Sequence, residues 1–351
     1  MNSKEFLEKI VATEGVSGFE QPVARVISEA FAELSDEVRS DTLGNVIALK
    51  RGEGENRPRI MLAGHMDEIG LMITKIDDRG FLSFTQVGGI DQRTLVSQEV
   101  VVHATTCGLP GIIGMKPPHL IPVEERNAAI KMSDMVIDLG LPVEEVRQKV
   151  RVGDVATISR EMIHLAGDFV AGKAMDDRAS VAVIYHCLAE LQKLRHTSDV
   201  YAVATVQEEV GLRGAMVSTY HLEPDIGIAI DVCHGDMPGV PEQDTAGMGK
   251  GPNIAFGANI HGKVYRKLVE VAKENNIPFT LDAVPAASGT DAWAMQVTRA
   301  GVCTGLISIP TRYMHTSVET LSFADIRASG KLLAHFIAAV DSEFVEGLLC
   351  Y

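Results

Sequence analysis

Residues 200–211 read Val-Tyr-Ala-Val-Ala-Thr-Val-Gln-Glu-Glu-Val-Gly, an almost wholly apolar run that stops at two glutamates. An uninterrupted run of this length predicts a strand covered on both faces, as in a parallel sheet flanked by helices. Adjacent anions at the end of a buried strand repel each other unless something positive compensates them. Glu208 and Glu209 therefore mark both the end of a core strand and a demand for cations.

The same texture recurs outward in both directions. Upstream lies Arg59-Ile-Met-Leu-Ala-Gly-His65-Met-Asp67; downstream lie Ile226-Gly-Ile-Ala-Ile-Asp231 and Gly305-Leu-Ile-Ser-Ile-Pro-Thr-Arg-Tyr-Met-His315. Further short strands are expected at Asn45–Leu49 and Gly301–Ile309. Apolar residues at helical spacing predict helices over Gln21–Leu34, Asp177–Leu194, Gly262–Asn275 and Phe323–Val340, with another near Arg213–Tyr220. Strands alternating with helices imply an α/β fold with a mainly parallel sheet. From Leu71 to Ser159 the texture changes to short apolar runs broken by Asp77-Asp78-Arg79-Gly80, Gly88-Gly89, Gly108-Leu109-Pro110-Gly111, Pro117-Pro118 and Gly153-Asp154. These turn signals predict a small β-rich insert. The expected division is an α/β domain over 1–70 and 164–351, interrupted by an insert over 71–163.

Composition bounds the function. The 351 residues are 46% hydrophobic and 23% charged, ordinary for a folded chain and incompatible with a low-complexity or collagen-like one. A formal charge of −15 repels phosphate backbones and anionic lipid, which argues against nucleic acid or a membrane surface as partner. Cys107, Cys187, Cys233, Cys303 and Cys350 are odd in number, scattered, and never in a C-x-x-C spacing, so neither a disulfide framework nor a thiolate zinc site is indicated. The first residues, Met-Asn-Ser-Lys-Glu-Phe-Leu-Glu-Lys-Ile, carry charges where a signal peptide needs an apolar core and read as an amphipathic helix. A cytoplasmic location is expected.

His65 and Asp67 stand at i and i+2, on one face of an extended chain, so the carboxylate can orient the imidazole. Asp176 and Asp177 precede an apolar helix, where capping or the helix dipole would also account for them. Glu208 and Glu209, Asp231 and His315 each follow an apolar strand. Open α/β sheets assemble sites at the carboxyl ends of their parallel strands, so these residues can converge with Asp176.

The chain resembles the dinuclear metallo-aminopeptidases of the glutamyl aminopeptidase and tetrahedral (TET) type, some of which carry an endoglucanase-like label. The matching stretches are GVSGFE at 15–20, DTLGNVIA at 41–48, AGHMDEIGLMI at 63–73, GKAMDDR at 172–178, VQEEVGLRGA at 206–215, AIDV at 229–232, SGTDA at 288–292 and IPTRYMHT at 309–316. The resemblance implies a metallopeptidase domain carrying a small β-barrel-like insert that mediates dimerisation and oligomerisation. It further implies one metal on His65 and Asp231, a second on Glu209 and His315, Asp176 bridging both, and Glu208 as general base; Asp67, the orienting partner of His65, is counted with Glu208 as catalytic. Thr316-Ser317 departs from the Ser-Pro that similar proteins often have there. The implied partners are peptides with a free N-terminus and further copies of the chain, dimers building a tetrahedral dodecamer.

Charge is consistent with that ligand set. Two divalent ions bring four positive charges, matched by Asp176, Asp231, Glu209 and one hydroxide, which leaves Glu208 free. Histidine and carboxylate without thiolate suit Zn²⁺, Co²⁺ or Mn²⁺ alike. The identity of the metal and the residue preferred at the peptide N-terminus stay open. His119 reads as a turn residue, Cys233 and His234 as packing neighbours of Asp231, and Asp291 as a structural turn residue. Adjacent Glu208 and Glu209 are poorly placed to flank a sugar ring, against a glycosidase. Two alternatives stand: a dinuclear deacylase or carboxypeptidase on a similar sheet, and a catalytically silent oligomeric binding protein of the same fold.

Overall fold

The computed structural model describes residues 1–104, 108–120, 122 and 129–349; Cys107 and Cys350 lie outside them. Its strands in chain order are β1 (Glu37–Ser40), β2 (Val46–Lys50), β3 (Arg59–His65), β4 (Gly70–Ile76), β5 (Leu82–Val87), β6 (Glu99–His103), β7 (Gly108–Met115), β8 (Met135–Asp138) and β9 (Val155–Ile158). There follow β10 (Ile163–His164), β11 (Phe169–Gly172), β12 (Asp199–Thr205), β13 (Ile226–His234), β14 (Asn253–Gly257), β15 (Thr280–Val284), β16 (Cys303–Arg312) and β17 (Glu319–Ser322).

Eleven of them form one sheet in the order β1-β2-β12-β3-β13-β16-β17-β11-β10, with β14 and β15 branching from β16. Its centre, β12-β3-β13-β16, is parallel throughout. Both faces of that centre are buried, and alternate residues serve opposite layers. In β3, Ile60 and Leu62 pack with Phe6, Phe31, Leu188 and Phe336. Met61 and Ala63 pack on the other side with Ala215, Ala292 and Met295. This is why 200–206 and 226–232 read as unbroken apolar runs rather than as alternation. Helices Ser3–Ala12, Met175–Leu191 and Phe323–Ala338 supply the first layer, and Arg213–Leu222 and Asp291–Gln296 the second.

The strands from Gly70 to Ile158 close a six-stranded antiparallel barrel in the order β4-β5-β8-β7-β6-β9. It has its own core of Leu71, Ile73, Leu82, Val100, Val102, Ile113 and Ile137. One expectation changes here: Gly108-Leu109-Pro110-Gly111 is the start of β7, not a turn. Pro110 stands opposite Val101 of β6, before pairing with β8 begins at Ile112, so its missing N–H falls where that side has no strand partner.

Glycine decides one approach near the site. A Cβ on Gly64 would lie 2.8 Å from Ser180 Cβ, so only glycine lets the helix Met175–Leu191 come this close to β3 beside His65. No helix among the described residues is long and apolar enough to cross a membrane.

Candidate metal centre

The carboxyl ends of β3, β12 and β13 deliver His65, the pair Glu208 and Glu209, and Asp231 to one place, because parallel strands end on the same edge. Asp176 enters from the start of the helix that crosses behind them, and His315 from the loop after β16. Asp176 faces both histidines at once: one carboxylate oxygen lies 3.1 Å from His65 Nε2, the other 3.2 Å from His315 Nε2. Glu208 Oε2 is 3.7 Å from His65 Nε2, and Glu209 Oε1 is 3.5 Å from His315 Nε2. Donor atoms of His65, Asp176 and Glu209 gather within 4.8 Å, as do those of His65, Asp177 and Asp231. All six residues singled out for the cluster are thus neighbours.

Asp67 does more than its spacing indicated. Its carboxylate lies 3.5 Å from His65 Nδ1, accepts the Ser17 hydroxyl at 2.6 Å, and accepts the backbone N–H groups of Glu208 at 3.1 Å and Glu209 at 3.3 Å. One buried carboxylate thereby holds an imidazole and both glutamates. Asp177 accepts the His65 backbone N–H at 3.1 Å and the Ser180 hydroxyl, so its oxygens are already engaged.

Three positioning groups were not singled out from the sequence. Glu319, buried on β17, accepts the backbone N–H of Asp176 at 3.0 Å and of His315 at 2.8 Å. Glu20 accepts the N–H of Gln207 at 3.1 Å, where Gln207 sits at φ 56, a costly conformation for a side-chain-bearing residue. Ser17 and Glu20 both fall inside GVSGFE at 15–20, one of the stretches that carry the family resemblance. His119 occupies an exposed turn, Pro118–Leu120. Asp291 is buried, accepts the Thr205 hydroxyl at 2.6 Å and leaves its other oxygen without a partner among the described residues.

Protonation equilibria show what the cluster lacks. Burial, reinforced by neighbouring acids, pushes Glu208 up to about 10 and Glu209 up to about 7. Asp231 is raised well above the carboxylate range for the same reasons. The hydrogen bond to Asp176 raises His315 to about 9. Burial disfavours the charged form of His65, yet Glu208, Asp176 and Asp67 together hold it well above its ordinary value. Carboxylates that retain protons beside imidazoles that gain them describe a buried excess of negative charge, which bound cations would relieve. The donor set fits: imidazole nitrogens and carboxylate oxygens with no cysteine sulfur suit divalent transition-metal ions.

An open α/β sheet gathering histidines and carboxylates at its strand ends, beside a cavity of about 880 Å³, is the arrangement of a metal-dependent hydrolase. Residues 44–332 match the M42 glutamyl aminopeptidase family. The lysyl aminopeptidase of Pyrococcus furiosus is 35% identical over 332 residues, 93% of this chain and 94% of that protein. An aminopeptidase from the archaeon Desulfurococcus kamchatkensis is 37% identical, with a TM-score of 0.93 over 99% of this chain and 98% of that one. The TET1 peptidase of Pyrococcus horikoshii, which can assemble into a tetrahedron or a large octahedral shell, is 33% identical, with a TM-score of 0.85 over 97% and 100% of the two chains. The chain belongs to the M42 glutamyl aminopeptidase family. It is a metal-dependent aminopeptidase, an exopeptidase among the hydrolases.

Proposed function

We propose that the cluster holds two divalent cations, one on His65 and Asp231 and one on Glu209 and His315, with Asp176 shared and Glu208 left free as general base. The observation that carries this reading is Asp176, whose two oxygens face His65 and His315 separately. Zn²⁺, Co²⁺ and Mn²⁺ all suit the donors. When bound, such a pair polarises the scissile carbonyl and lowers the pKa of the attacking water. Glu208 stands beside His65 without needing to ligate, so its carboxylate accepts the water's proton and returns it to the departing amine. Asp67 keeps that carboxylate in place through the Glu208 amide while orienting His65. The substrates are peptides with a free N-terminus.

The protein works as a homo-oligomer, and the barrel module, over about 71–163, supplies subunit contacts because it has its own core and contributes none of the cluster. A tetrahedral dodecamer like that of TET1 would weigh about 450 kDa. Cys187, Cys233 and Cys303 are free thiols, which suits the cytosol.

Chelation tests the reading. Activity on aminoacyl anilides should vanish with the metal and return with Co²⁺, Zn²⁺ or Mn²⁺, at two ions per chain by elemental analysis. An N-acetylated anilide should stay uncut. Full activity without metal, or preference for the blocked substrate, sinks the assignment.

A further inference from the structure

The cavity next to the cluster has an outer wall with no task in bond cleavage. Once Asp176, Glu208, Glu209 and Asp231 are assigned to the metals and the base, the acids left on the lining are Asp244 and Asp282, and no lysine or arginine lines it among the described residues. Asp244 sits on an exposed turn at the rim, whereas Asp282 is half-buried in β15. The Asp282 carboxylate makes no hydrogen bond or ion pair among the described residues, and β15 pairs on one side only, with β14.

Sheet register places Asp282 relative to the reacting centre. Asp231 of β13 stands opposite Ser308 of β16, Ser308 opposite Asn253 of β14, and Asn253 opposite Thr280 of β15. Residues directly opposite one another share a face, and so do i and i+2, which puts Asp282 on the same face as Asp231. The row between them is polar: the Thr280 hydroxyl donates to Asn253 Oδ1 at 2.9 Å, and the Asn253 amide approaches Cys233 Sγ at 3.8 Å. Three inter-strand steps of about 4.8 Å place Thr280 roughly 14 Å from Asp231, and two residues further along β15, about 6.6 Å, place Asp282 roughly 16 Å from it. Part of that span is taken by the side chains at either end. An extended lysine carries its ammonium roughly 6 Å from Cα, whereas the leucine methyl groups stop at roughly 4 Å.

We propose that Asp282 is a specificity-determining residue whose carboxylate, at the far wall of the cavity, receives the long cationic side chain of a lysine or arginine at the substrate N-terminus. This rests on the reading that peptides are cut at the His65–Asp176–His315 cluster. A free carboxylate on a polar wall rewards a cation that reaches it and repels an acidic side chain, so glutamyl and aspartyl substrates are the ones rejected.

The test compares kcat/KM for lysyl-, arginyl-, leucyl- and glutamyl-p-nitroanilide on the full-length, metal-loaded enzyme, with circular dichroism and metal content confirming each variant intact. The wild type should favour lysyl and arginyl over glutamyl. Asp282→Asn should lower the lysyl-to-leucyl ratio by about tenfold, Asp282→Glu should retain the preference, and Asp282→Lys should move glutamyl above lysyl. An unchanged lysyl-to-leucyl ratio in Asp282→Asn, or a wild type that favours glutamyl, overturns the pocket while leaving the cleavage site standing. Cleavage of none of the four anilides overturns both.

Discussion

Glu208 and Glu209 are chemically identical neighbours, and only their surroundings separate them. Glu209 faces His315 and Asp176, Glu208 faces His65, and both line the cavity. Glu208→Gln keeps size and packing but removes the proton acceptor, so kcat should fall about 10²–10⁴-fold with little change in KM. Metal content should persist. Glu209→Gln should instead weaken metal binding, with activity partly recovered at high metal concentration. Rescue of Glu208→Gln and not of Glu209→Gln would mean the two roles are reversed. Glu20 gives a prediction about pH. Burial raises it from its ordinary 4.5 to about 7, so the folded chain holds this proton more tightly than the unfolded chain does. Its contribution to stability is therefore full below pH 4.5 and is lost as pH rises through about 7. Glu20→Gln, which still accepts the Gly18 and Gln207 N–H groups, should gain on the wild type in melting temperature across that window. A difference that stays constant from pH 4.5 to 7 would refute the assignment.

Where β3 passes into the barrel at β4, a buried ion cluster ties three segments together. Glu68 accepts Lys173 Nζ at 2.6 Å, Arg178 Nη2 at 3.0 Å and the Gly15 N–H at 3.1 Å. Arg178 also donates to the carbonyls of Ile10, Val11, Thr13 and Met66. Burial opposes the charge on Glu68, but Lys173 and Arg178 together hold it below its ordinary value. Lys173, sharing that carboxylate, is itself lowered by burial. Two cations thus depend on one anion, which makes the deletions unequal. Glu68→Gln leaves both cations facing a neutral amide and should cost about 3–5 kcal/mol. Lys173→Met leaves a matched Glu68–Arg178 pair and should cost far less. Urea unfolding of both variants checks the order, and equal losses would show that the charges are not balanced this way. The barrel also touches the site directly: a Cβ on Gly89 would lie 3.0 Å from His315 Nδ1, and one on Gly88 3.2 Å from Glu209 Oε2. Substituting either glycine should therefore disturb activity from outside the α/β sheet, read as a rise in the metal concentration needed for half-maximal rate.

For the whole molecule, the prediction is size. Light scattering should give a closed assembly of many copies, about 450 kDa for a dodecamer, and cleavage should favour short peptides over folded proteins. A stable monomer at every metal concentration would refute it. Buried parallel strands write themselves as apolar runs, and a polar residue closing such a run falls near the carboxyl end of the strand, so the α/β class, the inserted β module and the placement of His65, Glu208, Glu209, Asp231 and His315 are readable one stretch at a time. Asp176 was harder, since a helix start explains an aspartate equally well. Short strands such as β14 and the edge strand β15 carry too few residues for a periodic signal, and Gly108–Gly111 shows turn chemistry inside a strand. The holding contacts left no local trace at all. Glu20 reaches Gln207 across 187 positions, Glu319 reaches Asp176 across 143, and Arg178 reaches Glu68 across 110. A hydrogen bond depends on distance in space, and only the folded sheet brings residues so far apart in the chain within 3 Å or so of each other.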